Sequence, residues 1–301
     1  MTPVAEKNVK TKLRKIQKQY TTSPFEDTGA LLREYESRHT DRRQFFRSTI
    51  EDFLNSCENF VLSYDKNLPH VLADKILSNE PIIFSLAGES ASGKSTAMEL
   101  FKQALSENDI QYTMICADDY YLDTTKEIEE AGGMDNLFKK GFSFDVPDRV
   151  DLDLILEHFK TLKSGQTVYS PSYDFVTHAS TPNVQEKTAS KFILHEGIFA
   201  LNDKFINCSD IRIYCETPAE IIKKRWYDRV ASRGTSKESW DGQFKNIKHA
   251  AEKYIHPTKQ NANLVISGNC SAQQMDELFN SIIFRLKLML EVFVFNQSSR
   301  M

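Results

Sequence analysis

The chain has 301 residues, 40% of them hydrophobic and 27% charged, a composition typical of a globular protein that argues against disorder throughout. Its 38 lysines and arginines are nearly matched by 42 aspartates and glutamates, so we expect no nucleic-acid partner. The five cysteines form no CxxC pair, which indicates reduced thiols and a cytoplasmic protein. No apolar run approaches the ~18 residues of a membrane helix, and we expect no membrane partner.

Residues 1–80 are predicted to form an N-terminal helical extension. Residues 1 to about 24 are polar and rich in lysine. From residue 28 to about residue 77, apolar side chains recur at the spacing of two or three amphipathic helices, with Phe60 and Val61 continuing the pattern. We identify no chemical motif in this part of the chain.

The pattern changes at Pro81, and residues 81–301 are predicted to form one larger domain. Residues 82–87 are a short apolar run, typical of a strand that is buried on both faces. Further strands are predicted at residues 112–117, 192–194, 211–215 and 264–266, with helical patterns at residues 151–163, 218–232 and 272–295. This alternation predicts an α/β fold with a doubly wound, mostly parallel sheet of the P-loop NTPase type.

A glycine-rich loop follows the first of these strands. Residues 88–96, GESASGKST, fit the phosphate-binding pattern GxxxxGK[ST] between a buried strand and an amphipathic helix. Such a loop binds phosphates through backbone N–H groups, while the lysine reaches the β- and γ-phosphates and the next hydroxyl holds Mg²⁺. The predicted nucleotide-binding residues are Gly88, Ser90, Ala91, Ser92, Gly93, Lys94, Ser95 and Thr96.

The motifs of a GTPase are missing from the sequence, which has neither N-K-x-D nor a switch D-x-x-G. A kinase for small molecules needs a base for the acceptor hydroxyl and cations for the transferring phosphoryl group. Asp118 and Asp119 follow the second predicted strand, at the sheet edge where ligands bind in open α/β folds. One of these carboxylates is a candidate base, although either could instead cap the next segment.

These motifs together resemble the uridine/cytidine kinases, a group whose wider relatives include phosphoribulokinase and type I pantothenate kinase. The matching segments come in the family's order and spacing over roughly residues 82–267. Besides the phosphate loop they are DDYY at 118–121, FDVPD at 144–148, PSYDFVTH at 171–178, HEGI at 195–198 and PTK at 257–259. The resemblance implies phosphorylation of the 5′-hydroxyl of uridine or cytidine with ATP and Mg²⁺ as cofactors.

The resemblance also implies individual roles. Asp118 would be the general base, Asp145 would hydrogen-bond the ribose hydroxyls, and Glu196 would orient Mg²⁺ together with Ser95. The sugar and base would bind among Tyr121, Tyr173, Phe175 and His178. Each of these residues has a structural alternative, such as a turn at Asp145 or core packing of the aromatic rings.

Three arginines, Arg225, Arg229 and Arg233, lie four residues apart and share one face of a predicted helix. Such a face fits a lid, at about residues 218–240, that closes over the triphosphate and supplies positive charge to the transition state. We predict Lys94, Arg225 and Arg229 as catalytic residues beside Asp118, and Arg233 as a nucleotide-binding residue. A solvated helix face is the alternative.

The lid departs from the resembled family at residues 225–229, where RWYDR replaces the usual R-x-x-R-D, and Val146 stands where the family usually has histidine. These departures leave the acceptor open. The alternatives are the same phosphoryl transfer to pantothenate or to a sugar or sugar phosphate, and a weakly catalytic nucleotide-binding regulatory protein. The expected partner is a small-molecule acceptor, and a homo-oligomer is left open.

Overall fold

The computed structural model describes residues 42–57, 59–78, 80–232, 237–277, 279–280 and 282–283. The strands in this part are β1 (Val61–Tyr64), β2 (Ile82–Ala87), β3 (Tyr112–Cys116), β4 (Val168–Asp174), β5 (Ala179–Lys187), β6 (Phe192–Glu196), β7 (Ile211–Glu216) and β8 (Leu264–Ser267). The helices are α1 (Arg42–Ser56), α2 (Leu68–Leu77), α3 (Lys94–Glu107), α4 (Thr125–Ala131), α5 (Met134–Lys139), α6 (Leu152–Lys163), α7 (Ala219–Ser232) and α8 (Lys237–Ala250). None of the helices in these ranges is long and apolar enough to cross a membrane.

The main sheet has six strands in the order β1-β8-β7-β2-β6-β3. β2 is parallel to both β6 and β7, and the pairs β3–β6 and β7–β8 are parallel as well. Parallel neighbours require crossover connections, which place helices on the faces of the sheet. The predicted α/β fold with a mostly parallel, doubly wound sheet is confirmed, and the five predicted strands correspond to β2, β3, β6, β7 and β8.

Two apolar clusters cover the two faces of this sheet, and β2 contributes to both. Ile82, Phe84 and Leu86 pack in the cluster that contains α1, α2 and α3. Ile83 and Ala87 point to the other side, into the cluster that contains α6. All six residues of β2 are buried, which explains why its sequence is apolar without alternation.

The N-terminal extension is helical over α1 and α2, as predicted, but the segment between them is a strand. We expected Val61 to continue a helical pattern, whereas β1 pairs antiparallel with the edge strand β8, with Val61 opposite Ile266 and Tyr64 opposite Leu264. Phe60 is buried, with its ring centroid 5.9 Å from that of Phe279. Long-range pairing and burial therefore override the local spacing, and β1 covers an edge that would otherwise have unpaired backbone groups.

A second, two-stranded sheet consists of β4 and β5, which form an antiparallel hairpin. Neither β4 nor β5 was among the five predicted strands. Most side chains of β5 are exposed and carry no apolar alternation. Two parts of the predicted helices, residues 28–41 and 284–295, lie outside the described residues, whereas residues 272–277 form a helix as predicted.

Candidate active site

The phosphate loop, residues 88–93, connects β2 to α3. Ala91 and Gly93 have positive φ angles of 67° and 97°, and alternation of this kind gathers backbone N–H groups into an anion-binding concavity. A Cβ atom at Gly93 would lie 3.1 Å from the carbonyl oxygen of Gly268, and one at Gly88 would lie 2.7 Å from that of Cys215. The loop therefore accepts only glycine at both positions without a shift of the neighbouring backbone.

Lys94, Ser95 and Glu196 meet where α3 begins beside the end of β6. The Oγ of Ser95 donates to Oε1 of Glu196 over 3.1 Å, and Nζ of Lys94 lies 3.7 Å from the same oxygen. Burial raises the pKa of Glu196, and the nearby Lys94 opposes that rise. The hydroxyl and carboxylate oxygens are hard ligands of the type that Mg²⁺ prefers, so this pair fits the predicted metal site. Thr96 is exposed in the same helical turn.

Two of the predicted site residues, Asp118 and Asp145, lie near the phosphate loop and Glu196. Asp118 is exposed in the 3₁₀ turn that follows β3, and its charge raises the pKa values of Asp145 and Glu196. Asp145 is buried, and its Oδ2 has no hydrogen-bond partner among the described residues. Burial raises the pKa of Asp145 to about 6, although Lys94 and Arg229 act to lower it. A buried carboxylate that has one unpartnered oxygen and lies near two cations is a typical ligand-binding group.

Aromatic rings form a pocket next to these aspartates. The ring centroid of Tyr121 lies 5.4 Å from Tyr173, 6.1 Å from Phe175 and 6.0 Å from Phe144. His178 stacks on Phe144 with centroids 5.2 Å apart and planes inclined by 16°. The structure thus brings together all four residues of the predicted base pocket. It adds Phe144, which sequence reasoning quoted in a motif but did not assign to the site.

The tip of the β4–β5 hairpin fixes the position of His178. Oδ1 of Asp174 accepts hydrogen bonds from the backbone N–H groups of Val176 and Thr177 at 2.7 and 3.3 Å. His178 follows with a φ of 59°, and its Nδ1 lies 3.3 Å from the hydroxyl of Tyr173. The turn therefore directs the imidazole back toward the aromatic pocket, whereas Phe175 stays half exposed at the rim.

Two of the three predicted lid arginines contact the phosphate loop. Nη1 of Arg225 donates to the carbonyl oxygens of Gly268 at 2.8 Å and Ser92 at 3.3 Å. Nη2 of Arg229 donates to Oγ of Ser90 at 2.7 Å. Arg233 lies outside the described residues. Arg225 therefore contacts the loop backbone, and Arg229 contacts a side chain of the loop and interacts electrostatically with Asp145.

Sequence reasoning missed an ion-pair cluster in the phosphate loop itself. Glu89 is buried and contacts Lys248 of α8 and His256 of the turn that follows. The signal was present in the sequence, because an acidic residue inside a loop that binds a polyanion requires a cationic partner. The identity of that partner depends on residues about 160 positions away and could not be read from local pattern.

Comparison with known proteins places this site in a family. The model of the "Phosphoribulokinase / Uridine kinase family" matches residues 83–274, which include the phosphate loop, both aspartates and the lid arginines. The chain belongs to this family. Family membership makes it a P-loop kinase, a phosphotransferase that acts on a hydroxyl group.

Among the relatives of this kinase, uridine-cytidine kinase-like 1 of Mus musculus is 33% identical over 202 residues, which cover 65% of this chain and 35% of the mouse protein. The match thus spans about a third of that relative's length. The uridine kinase of Klebsiella pneumoniae is 32% identical over 195 residues, 63% of this chain and 88% of the bacterial protein. A candidate fructose transport system kinase from Silicibacter shares the fold, with a TM-score of 0.52 and 18% identity over 71% of this chain and 98% of that one.

Proposed function

We propose that the protein transfers the γ-phosphoryl group of ATP to the 5′-hydroxyl of uridine or cytidine. The observation that carries the proposal is Asp145, whose buried Oδ2 has no hydrogen-bond partner among the described residues. Its charge interacts with Lys94 of the phosphate loop and with Tyr121 of the aromatic pocket. A pair of ribose hydroxyls would satisfy that oxygen, and a pyrimidine ring would fit against Phe144 and Tyr173. The relatives named uridine kinases support the same assignment.

The chain's own residues supply the chemistry. Asp118, exposed at the mouth of the site, accepts the proton of the attacking hydroxyl. Lys94 and Arg229 hold the phosphoryl group in line with that hydroxyl and stabilise its charge. Arg225 acts as a positioning residue that holds the loop backbone. Ser95 and Glu196 would hold Mg²⁺, which would supply positive charge to the phosphates.

A neutral acceptor fits this pocket better than a carboxylated or phosphorylated one. An anionic acceptor would require, beside the aromatic rings, a basic side chain that is not already paired with an acidic one. Arg149 lies 4.4 Å from the ring centroid of Phe142, close to this cluster, but its Nη1 donates to Oε1 of Glu127 at 2.9 Å. That ion pair is balanced, which favours a nucleoside over pantothenate or a sugar phosphate.

The test is the release of ADP from ATP and Mg²⁺ in the presence of single acceptors. We expect turnover with uridine and cytidine, weak or no turnover with pantothenate and sugar phosphates, and none above background for Lys94→Ala. Turnover with pantothenate alone would contradict the acceptor assignment. No acceptor-dependent turnover at all, with ATP still bound, would favour the nucleotide-binding regulatory protein.

A further inference from the structure

A buried glutamate in the phosphate loop connects that loop to α8 and to the 3₁₀ turn His256–Asn261. The side chain of Glu89 is 9% exposed. Nζ of Lys248, near the end of α8, lies 3.0 Å from Oε2 and 3.2 Å from Oε1 of Glu89. Nε2 of His256, in the 3₁₀ turn His256–Asn261, lies within hydrogen-bond distance of Oε1. The three side chains therefore join the loop, α8 and the turn at one point.

This point lies in the phosphate loop, one residue before the loop contact of Arg229. Ser90, the next residue, accepts the hydrogen bond from Arg229. The charge of Glu89 raises the pKa of Asp145, which Lys94 and Arg229 lower, so all these groups share one electrostatic region. Of the three phosphates of ATP, the γ-phosphate is the one nearest the acceptor in a kinase site. The ammonium group of Lys248 is thus held against the phosphate loop, one residue from the contact between Arg229 and Ser90.

A carboxylate so close to a polyanion is unfavourable unless a cation balances it, because charges interact strongly in a partly buried site. Lys248 supplies that balance at Glu89. Its side chain is 23% exposed and ends in a single ammonium on a flexible four-carbon stem, so it can rotate away from Glu89. His256 would keep its contact with Oε1 after such a movement, so Glu89 would not lose both partners.

We propose that Lys248 is a binding residue for the γ-phosphate, which Glu89 holds at the loop until the triphosphate binds. Glu89 and His256 are positioning residues in this arrangement. The inference rests on the proposed ATP-dependent function and extends it by one cation from outside the recognised motifs. The consequence is selectivity for ATP over ADP, because only ATP has the phosphate that Lys248 reaches.

The test compares the affinity of the full chain for a non-hydrolysable ATP analogue and for ADP, both with Mg²⁺, by isothermal titration calorimetry. In Lys248→Met we expect affinity for the ATP analogue to fall about 10- to 100-fold, the range of a charge-assisted hydrogen bond, and affinity for ADP to fall less than about threefold. Lys248→Arg should retain most of the affinity for the analogue. The matched control is Lys245→Met, an exposed lysine on the same helix, which should bind both nucleotides as the wild type does.

The double variant Glu89→Gln/Lys248→Met separates a lost phosphate contact from repulsion by an unbalanced Glu89. The proposal predicts that the double variant still binds the analogue weakly relative to Glu89→Gln alone. Full recovery in the double variant, or an equal loss for ADP and the analogue in Lys248→Met, would overturn it. If Lys248→Met does not fold, the double variant provides the same comparison, since it removes both charges. A wild type that binds neither nucleotide would instead contradict the proposed function.

Discussion

Asp145 should lower the stability of the folded protein while it contributes to binding of the acceptor. Its pKa is about 6 instead of 3.8, mainly because burial disfavours the ionised form. That difference corresponds to about 3 kcal/mol at ~1.4 kcal/mol per pH unit. Above about pH 6 the folded protein contains the buried charge, whereas below about pH 4 the group is protonated in both states. Asp145 therefore lowers the free energy of unfolding as pH rises from about 4 to about 6.

Asp145→Asn removes that charge and keeps the shape of the side chain. We expect the variant to be more stable than the wild type by about 1–3 kcal/mol at pH 7.5, with the gain shrinking toward pH 4. We also expect the KM for uridine to rise about tenfold or more, because a hydrogen bond to a charged group is lost. Urea unfolding at pH 7.5 and pH 5 and uridine kinetics measure the two effects. A variant that is no more stable at pH 7.5, or whose gain does not depend on pH, would refute the reasoning about burial.

Two further substitutions test other parts of the structure. Gly93→Ala should lose ATP affinity by at least about tenfold, because alanine is strained at a φ of 97° and its Cβ approaches Gly268. Nucleotide titration measures the affinity, and an unchanged value would contradict the loop conformation described above. His195 is buried between Phe159 and Phe205, and burial lowers its pKa to about 3. The unfolded chain binds this proton at higher pH, so the wild type should lose stability as pH falls below about 6.5. In urea unfolding at a series of pH values, His195→Gln should lose less stability than the wild type below about pH 6.5. An equal loss in both proteins would contradict the lowered pKa of His195.

The sequence predicted those parts of the fold and site that depend on neighbouring residues. The apolar run of β2 and the glycine pattern of the phosphate loop are local signals, and both elements appear where they were expected. β1 was missed because its conformation depends on pairing with β8, about 200 residues later. The local spacing around Val61 fits a helix equally well, and only the long-range pairing decides between the two.

The candidate site also contains residues that could be predicted from the sequence and contacts that could not. Asp145 and the aromatic residues were predicted through family resemblance, and the structure brings them to one place. The state of Asp145 could not be predicted, because its lack of a partner depends on the packing of surrounding segments. Glu89 is visible in the sequence, but its partner Lys248 comes from a helix that no local pattern connects to the loop.

The most direct test of the proposed function is the rate of uridine-dependent ADP release by the wild type and by Asp118→Asn, with ATP affinity measured on the same preparations. If Asp118 takes the proton from the acceptor hydroxyl, the variant should bind ATP as the wild type does and lose about 10²- to 10⁴-fold in kcat. Wild-type turnover that does not depend on uridine or cytidine, or turnover that is unchanged in Asp118→Asn, would contradict the account.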